Sequence, residues 1–259
     1  MNAILKYPGA KWRIADWIID YMPEHKVYLE PFFGSGAVFF KKQPSYLETI
    51  NDIDGNIVNL FRVCRENPEE LSRLISLTPF AREEFIDCYQ IDVEDPIERA
   101  RRTLVRYHQS FGTCNSSKNS WRNVQTYGGP RCATMWNDLP DIICKCCERL
   151  KNAQIENIDA IQLIKRYSSN EMLIYCDPPY LQNLRKRNMY KCEYTEEQHI
   201  QLINALKESN SMIILSGYDS ELYNDMLSDW YTAEKNTTAQ MGLHRTEKLW
   251  MNFVPNMLV

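Results

Sequence analysis

Asp177-Pro178-Pro179-Tyr180 sets a carboxylate, two ring-locked residues and an aromatic side chain side by side, directly after the apolar run Met172-Leu173-Ile174-Tyr175-Cys176. The run reads as a buried strand, so the four residues sit at its C-terminal tip. Such a set suits the exocyclic amine of a nucleobase. That amine is a poor nucleophile because its lone pair is delocalised into the ring, and a transferase must hold it so that the delocalisation weakens. A carboxylate oxygen and a carbonyl of the proline segment accept its two N–H bonds, while a flat ring clamps the extruded base. The prolines fix the backbone and remove competing donors. An ordinary loop also matches four residues by chance, so the other motifs must decide.

Near the N-terminus, Lys6-Tyr7-Pro8-Gly9-Ala10-Lys11 offers a ring and an ammonium before a helical pattern with Trp12, Ile14, Ala15, Ile18 and Ile19 on its apolar side. Val27-Tyr28-Leu29 then reads as a short buried strand leading through Glu30-Pro31-Phe32-Phe33-Gly34-Ser35-Gly36 into a helix. Glycines at a strand-to-helix turn let the backbone approach a ligand closely. A dinucleotide fingerprint needs a third glycine three residues past Gly36, where Phe39 stands, which argues against a nicotinamide or flavin enzyme. A second strand, Tyr46 to Ile50, runs into Asn51-Asp52-Ile53-Asp54. Asp52 at its tip is placed for two ribose hydroxyls, and Asp54 for the N-cap of the helix carrying Ile57, Val58, Leu60 and Phe61. Asp159, in Asn157-Ile158-Asp159, either edges an adenine ring or caps a helix from Ala160.

Taken in order, KYPGAK, EPFFGSG, NDID, a long insert, NID, CDPPY, ILSGYD and the terminal TEKLWMNF make the chain resemble the DNA N6-adenine methyltransferases of the Dam-like class. The resemblance covers roughly residues 4 to 61 and 150 to the C-terminus. It implies a class I S-adenosylmethionine-dependent fold, Rossmann-like, with a mostly parallel sheet, an antiparallel closing strand and a small, mainly helical insert. By that resemblance Tyr7 packs on the donor adenine and Lys11 contacts the donor or the site floor. Glu30, Phe33, Gly34 and Gly36 line the methionine moiety, Asp52 holds the ribose, Asp159 holds the donor adenine, and Asp177 through Tyr180 hold the target base. Ala10 departs from the family pattern, where a second glycine is common, and Tyr7 stands where a tryptophan is found.

Composition agrees with this reading. With 259 residues and 44% hydrophobic content the chain can bury one large α/β core and a small second unit. The nine cysteines and the charged residues interrupting the N-terminal apolar positions lead us to expect a reducing, cytoplasmic compartment. No stretch approaches the ~18 uninterrupted apolar residues of a membrane span. Cys144, Cys146 and Cys147 lack the paired spacing of a metal site, and we read them as helical residues.

The net charge of −4 is unevenly distributed. From Arg99 to Asn137 there are seven basic residues and no acidic ones, and Arg185, Lys186, Arg187 and Lys191 form a second acid-free stretch just after the proline loop. That leaves 19 of the 30 basic residues to face all 34 acidic ones elsewhere, the pattern of an acidic body approaching DNA on one face. For Arg99 to Arg106 a solvated helix face is an equal alternative.

Strands and helices alternate over 1–61 and 151–259, including Met212 to Leu215, helices near 195–208 and 219–228, and an antiparallel pair from Asp229 to Asn236 and Lys248 to Val254. These two stretches are expected to form the catalytic domain. Residues 62–150, with helical patterns at Glu69 to Leu77, Glu83 to Ile91 and Ile97 to Tyr107 and a polar loop from Gly112 to Gly129, are expected to form a target-recognition insert. Trp121 and Tyr127 either contact bases or pack the loop. Lys118 and Arg122 are assigned to base edges, and Arg185, Lys186 and Arg187 to phosphates.

The expected activity is direct transfer of a methyl group from S-adenosylmethionine to the N6 amine of an adenine flipped from duplex DNA. No covalent enzyme intermediate, nucleophilic cysteine or metal is needed. Asp177 acts as an acceptor rather than a strong base, because the amine proton becomes acidic only once the methyl has moved. A cytosine-N4 enzyme would use nearly the same tetrapeptide, an RNA or glutamine methyltransferase could carry a similar loop, and a non-catalytic DNA-binding protein could keep the fold. A monomer is expected, and the class leaves room for a cognate restriction nuclease encoded nearby.

Overall fold

A computed structural model of the chain describes residues 2–90, 93–112, 118–123, 132–182, 190–238 and 244–255. The first half contains α1 (Ala15–Asp20), β1 (Val27–Glu30), α2 (Ala37–Lys41), β2 (Leu47–Asn51) and α3 (Gly55–Glu66). A helical stretch follows with α4 (Pro68–Leu77), α5 (Arg82–Asp87), α6 (Pro96–His108), α7 (Cys132–Asn137) and α8 (Leu139–Leu150). The chain then returns to alternation through β3 (Ala153–Glu156), α9 (Ala160–Arg166), β4 (Met172–Cys176), α10 (Glu196–Glu208), β5 (Met212–Tyr218), α11 (Glu221–Met226), β6 (Tyr231–Thr238) and β7 (His244–Met251).

The strands form one sheet in the order β3-β2-β1-β4-β5-β7-β6. The first five run parallel, and β7 is antiparallel to both β5 and β6, which is the mostly parallel sheet with an antiparallel closing pair anticipated above. Strand β4 is buried along its whole length, as a central parallel strand covered on both faces must be. Successive side chains point to opposite faces. Leu173 and Tyr175 accordingly enter one apolar layer, and Met172, Ile174 and Cys176 the other. The second layer holds α9, α10 and α11, with Leu163, Leu202, Leu206 and Tyr223 packed on the sheet.

The first layer takes α1 to α3 and also the helices of the 62–150 stretch. Leu71, Phe85, Leu104, Trp136 and Ile143 belong to the same continuous core as Tyr28 and Phe39. The boundary between residues 61 and 62 falls inside α3, whose buried residues Ile57, Leu60, Phe61, Val63 and Cys64 run through it without a break. Helix termini follow local chemistry. Asp54 caps α3, Asp95 with Pro96 starts α6, and Thr195 with Gln198 forms a capping box on α10.

The basic run on α6 serves internal bracing. Arg101 donates to Glu98 at 2.6 Å and also to Glu84, Arg102 donates to Glu98 at 2.7 Å, and Arg99 reaches Asn59 at 2.7 Å. Cys146 and Cys147 on α8 are buried and Cys144 is exposed, so the three do not converge. No helix among the described residues is long and apolar enough to cross a membrane.

Candidate active site

The strand order reverses between β1 and β4, and in open parallel sheets ligands bind outside the carboxyl ends of the strands at such a switch point. Glu30 ends β1, Asp52 follows β2, Asp159 follows β3 and Asp177 follows β4, so the four carboxylates arrive on one edge of the sheet. A cavity of about 160 Å³ lies between them. Among the residues singled out from sequence, Tyr7, Lys11, Glu30, Phe33, Gly34, Asp52, Asp159, Asp177 and Pro179 line it, whereas Gly36, Pro178 and Tyr180 do not.

The wall at β1 and β2 is held by the backbone. Asp52, only 8% exposed, accepts hydrogen bonds from Gly34 N at 2.8 Å and Asp54 N at 2.9 Å. Burial pushes its pKa up to about 6, against the pull of those N–H groups. Gly34 has φ of 49°, and a Cβ there would sit 2.9 Å from the Tyr7 ring, so only glycine lets the ring lie flat over the turn. Gly36, at φ 64°, caps α2, and a Cβ there would sit 2.4 Å from the Phe33 ring; it makes room for an aromatic cluster beneath the cavity rather than for a ligand. Glu30 is buried, takes the Tyr28 hydroxyl at 2.7 Å, and is driven by desolvation up to about 8. Asp54 caps α3 and meets Lys191 at 3.0 Å. Asp159 caps α9 through Gln162 N at 3.0 Å and also lines the cavity.

The wall at β4 and β5 is held by side chains. Lys11, only 4% exposed, places Nζ 2.7 Å from each oxygen of Asp177 and 3.1 Å from Gly9 O, and it also donates to the Tyr180 hydroxyl. Burial opposes the ammonium, yet Asp177 and Glu247 outweigh it and hold the Lys11 pKa above its ordinary value. Ser216 Oγ donates to Asp177 at 2.9 Å, and Tyr175 lies 3.1 Å from Ser216. Tyr180 is buried under this group, its hydroxyl donating to Glu247 at 2.8 Å and its ring 4.2 Å from that of Tyr218.

Ser216, Glu247, Asn51 and Tyr194 were not singled out from sequence. Asn51 binds Pro31 O at 2.9 Å and the Ile158 backbone at 3.0 and 3.1 Å, stapling the ends of three strands. Its only sequence signal was the NDID motif. Ser216 and Glu247 lie inside ILSGYD and TEKLWMNF, which carried order but no roles.

Of the DNA-contact residues, Lys118 is exposed, with Nζ 5.4 Å from the Tyr89 ring centre. Arg122 is half-buried and donates from Nε to Ser110 O at 3.0 Å, beside a Phe111 side chain that is 70% exposed. Trp121 packs on Phe80 with ring centres 5.8 Å apart. Arg185, Lys186, Arg187 and Tyr127 lie outside the described residues. Lys6, next to the cavity-lining Tyr7, has a buried Nζ with no hydrogen-bond partner among the described residues, and burial together with Arg122 lowers its pKa.

A family model described as D12 class N6 adenine-specific DNA methyltransferase matches residues 7–242. A type II methyltransferase, M1.LlaDCHI of Lactococcus lactis subsp. cremoris, is 28% identical over 265 residues, spanning 93% of this chain and 90% of its own length. The DNA adenine methylase of Escherichia coli (strain K12) is 25% identical over 257 residues, spanning 90% and 85%, and that of Salmonella typhi is 24% identical over 256 residues with the same coverage. With the family model spanning most of the chain, and a carboxylate-proline loop set at the switch point of a mostly parallel sheet, the chain belongs to the D12 class of N6 adenine-specific DNA methyltransferases.

Proposed function

We propose that the cavity at the sheet's switch point takes S-adenosylmethionine against the β1–β2 wall and the flipped adenine against Asp177. The observation that carries the reading is the acceptor inventory of Asp177. A carboxylate offers about four lone-pair sites. Lys11 and Ser216 engage three of them, which leaves one for an N–H of the incoming amine. The second amine N–H goes to the Pro178 carbonyl, since prolines supply acceptors and no donors.

S-adenosylmethionine supplies an electrophilic methyl on a sulfonium centre. The chain's residues fit such a ligand: Asp52 keeps lone-pair capacity for a hydroxyl, Tyr7 and Phe33 line the cavity, and the Gly34 turn brings backbone close. Asp159 and Tyr194 also line the cavity, and the adenine of the donor is assigned beside them. On the reacting side, Asp177 orients the amine so that its lone pair leaves conjugation and points along the line of attack. The ammonium of Lys11, 2.7 Å from both oxygens of Asp177, holds the carboxylate in place as the acceptor of the amine N–H. Tyr180 supports this loop from below, and stacking on a flipped base requires its ring to become accessible from the cavity.

We place target recognition in the 62–150 stretch. Lys6, next to the cavity-lining Tyr7, feels the charge of Arg122, and two neighbouring cations are an arrangement that a polyanion relieves. The exposed Phe111 and Lys118 extend the same surface, with Lys118 and Arg122 toward base edges and Arg185 to Arg187 toward phosphates. Modified-base sequencing of DNA from cells expressing the chain tests the reading. N6-methyladenine in one sequence context is expected; N4-methylcytosine, or no modification from a folded protein, contradicts it.

A further inference from the structure

Lys11 and Tyr180 are joined to a second buried carboxylate that the reaction as described does not use. An ammonium only donates, so the Tyr180 oxygen must accept from Lys11. The single tyrosine proton is then free for Glu247, 2.8 Å away and 8% exposed. The result is a directional chain from Asp177 through Lys11 and Tyr180 to Glu247, with every link in hydrogen-bond contact.

Methylation of an amine creates a surplus proton: the adenine nitrogen arrives as NH₂, gains a methyl and must lose one H⁺ for the next cycle. Asp177 is the first acceptor, but a protonated Asp177 cannot receive another amine in the same way. We propose that Glu247 is a positioning residue that fixes the direction of the Lys11–Tyr180 chain and serves as its far proton acceptor. This rests on the assignment of Asp177 to the target amine. The step balances without a co-reactant. Lys11 passes an ammonium proton to the Tyr180 oxygen as Tyr180 gives its own to Glu247, and Lys11 takes the proton from Asp177. Only N–H and O–H bonds break and form. Asp177 returns to carboxylate, Lys11 to ammonium and Tyr180 to phenol, while Glu247 carries the proton toward the surface.

The surroundings of Glu247 suit the role. Tyr218 pairs with it across β5 and Lys235 across β6, so a phenol and a cation share its side of the sheet. Tyr175, Tyr180, Lys11 and Asp177 face it from the core, each feeling its charge or linked to it through the chain. Its neighbour Lys248 turns to the opposite face and pairs with Asp219 at 2.8 Å.

Glu247→Gln separates proton transfer from packing, because the amide oxygen still accepts from Tyr180 but takes no proton. Multiple-turnover methyl transfer is measured with S-adenosylmethionine and a duplex carrying the sequence at which the wild-type protein deposits N6-methyladenine. At about pH 7 the variant should be slower by about a hundredfold, the low end for a lost proton-transfer partner. The deficit should shrink toward about pH 9 as hydroxide replaces the acceptor, and Glu247→Asp should keep the wild-type profile. Equal rates for Glu247→Gln and wild type at all pH values overturn the proposal. A deficit that is the same at every pH and shared by Glu247→Asp also overturns it, since that is the signature of packing alone. Asp177→Ala is run alongside. An inactive Asp177→Ala with a normal Glu247→Gln removes only the relay, whereas an active Asp177→Ala removes the amine site itself.

Discussion

Asp52 and Asp177 sit on facing walls of one cavity and are held in different ways. Asp52 is fixed by backbone N–H groups of Gly34 and Asp54, 18 and 2 residues away in the chain. Asp177 is fixed by the side chains of Lys11 and Ser216, 166 and 39 residues away. Backbone donors survive any side-chain change short of proline and their geometry comes with the turn, so the β1–β2 wall is locally encoded. The β4–β5 wall depends on charges brought together only when the sheet is complete, and its members can exchange protons. The first arrangement suits holding a ligand, and the second suits a reaction that must move H⁺.

If the β4–β5 wall depends on its ion pair, removing the buried cation should produce the largest effect. Lys11→Met keeps the stem and deletes the charge, leaving Asp177 and Tyr180 without their shared donor. Breaking a buried pair in this way costs about 3 kcal/mol of stability, and methyl transfer should fall with it. Denaturant unfolding that matches wild type would show that the pair is not structural.

On the other wall, pH is the probe. The Glu30 carboxyl, pushed from 4.5 to about 8, keeps its proton in the folded chain after the unfolded chain has released it. Its contribution is therefore fully present below about 4.5 and is lost as pH rises to about 8. Glu30→Gln should flatten that decline, so that the melting-temperature gap between variant and wild type widens from pH 5 to pH 8. Parallel curves would mean that Glu30 is ionised in the folded state.

Asp52→Ala should weaken donor binding by about 1.5–3 kcal/mol, the range of a charge-assisted hydrogen bond, and leave DNA binding intact. Unchanged donor affinity by calorimetry in a folded variant would move the ribose contact elsewhere. The smallest effect belongs to the exposed rim. Lys118→Ala should lower cognate affinity by about 1 kcal/mol and relax sequence preference if it reads a base edge. Equal weakening on cognate and scrambled duplexes, with a salt slope smaller by about one, would make it a phosphate contact instead.

The same contrast explains what was legible in the sequence. Strand β4, the Asp177 loop, the Gly34 turn and the Asp52 tip are local patterns, and each stands where it was expected. Asp159 was ambiguous because the residue that caps α9 also lines the cavity, so one position carries the signals of both readings. Glu247 and Ser216 were unreadable, since nothing near them in the chain announces a partner in the proline loop. The helices of 62–150 read as a separate unit because their own periodicity is complete. Only the packing of α3 against both α6 and α8 shows that they continue the core of the sheet. The arginines of α6 were open to a DNA-facing or a solvated reading because the glutamates that neutralise them lie outside the acid-free stretch, Glu98 next to it and Glu84 on α5.

The central claim is that Asp177 accepts the adenine amine during methyl transfer. Its most direct test is single-turnover methylation by Asp177→Ala, with donor affinity measured on the same preparation. The account predicts near-normal donor binding and a loss of methyl transfer of at least about a hundredfold, the size expected when a transition-state hydrogen-bond partner is removed. Turnover within a few-fold of wild type, in a variant that still binds the donor, would contradict it.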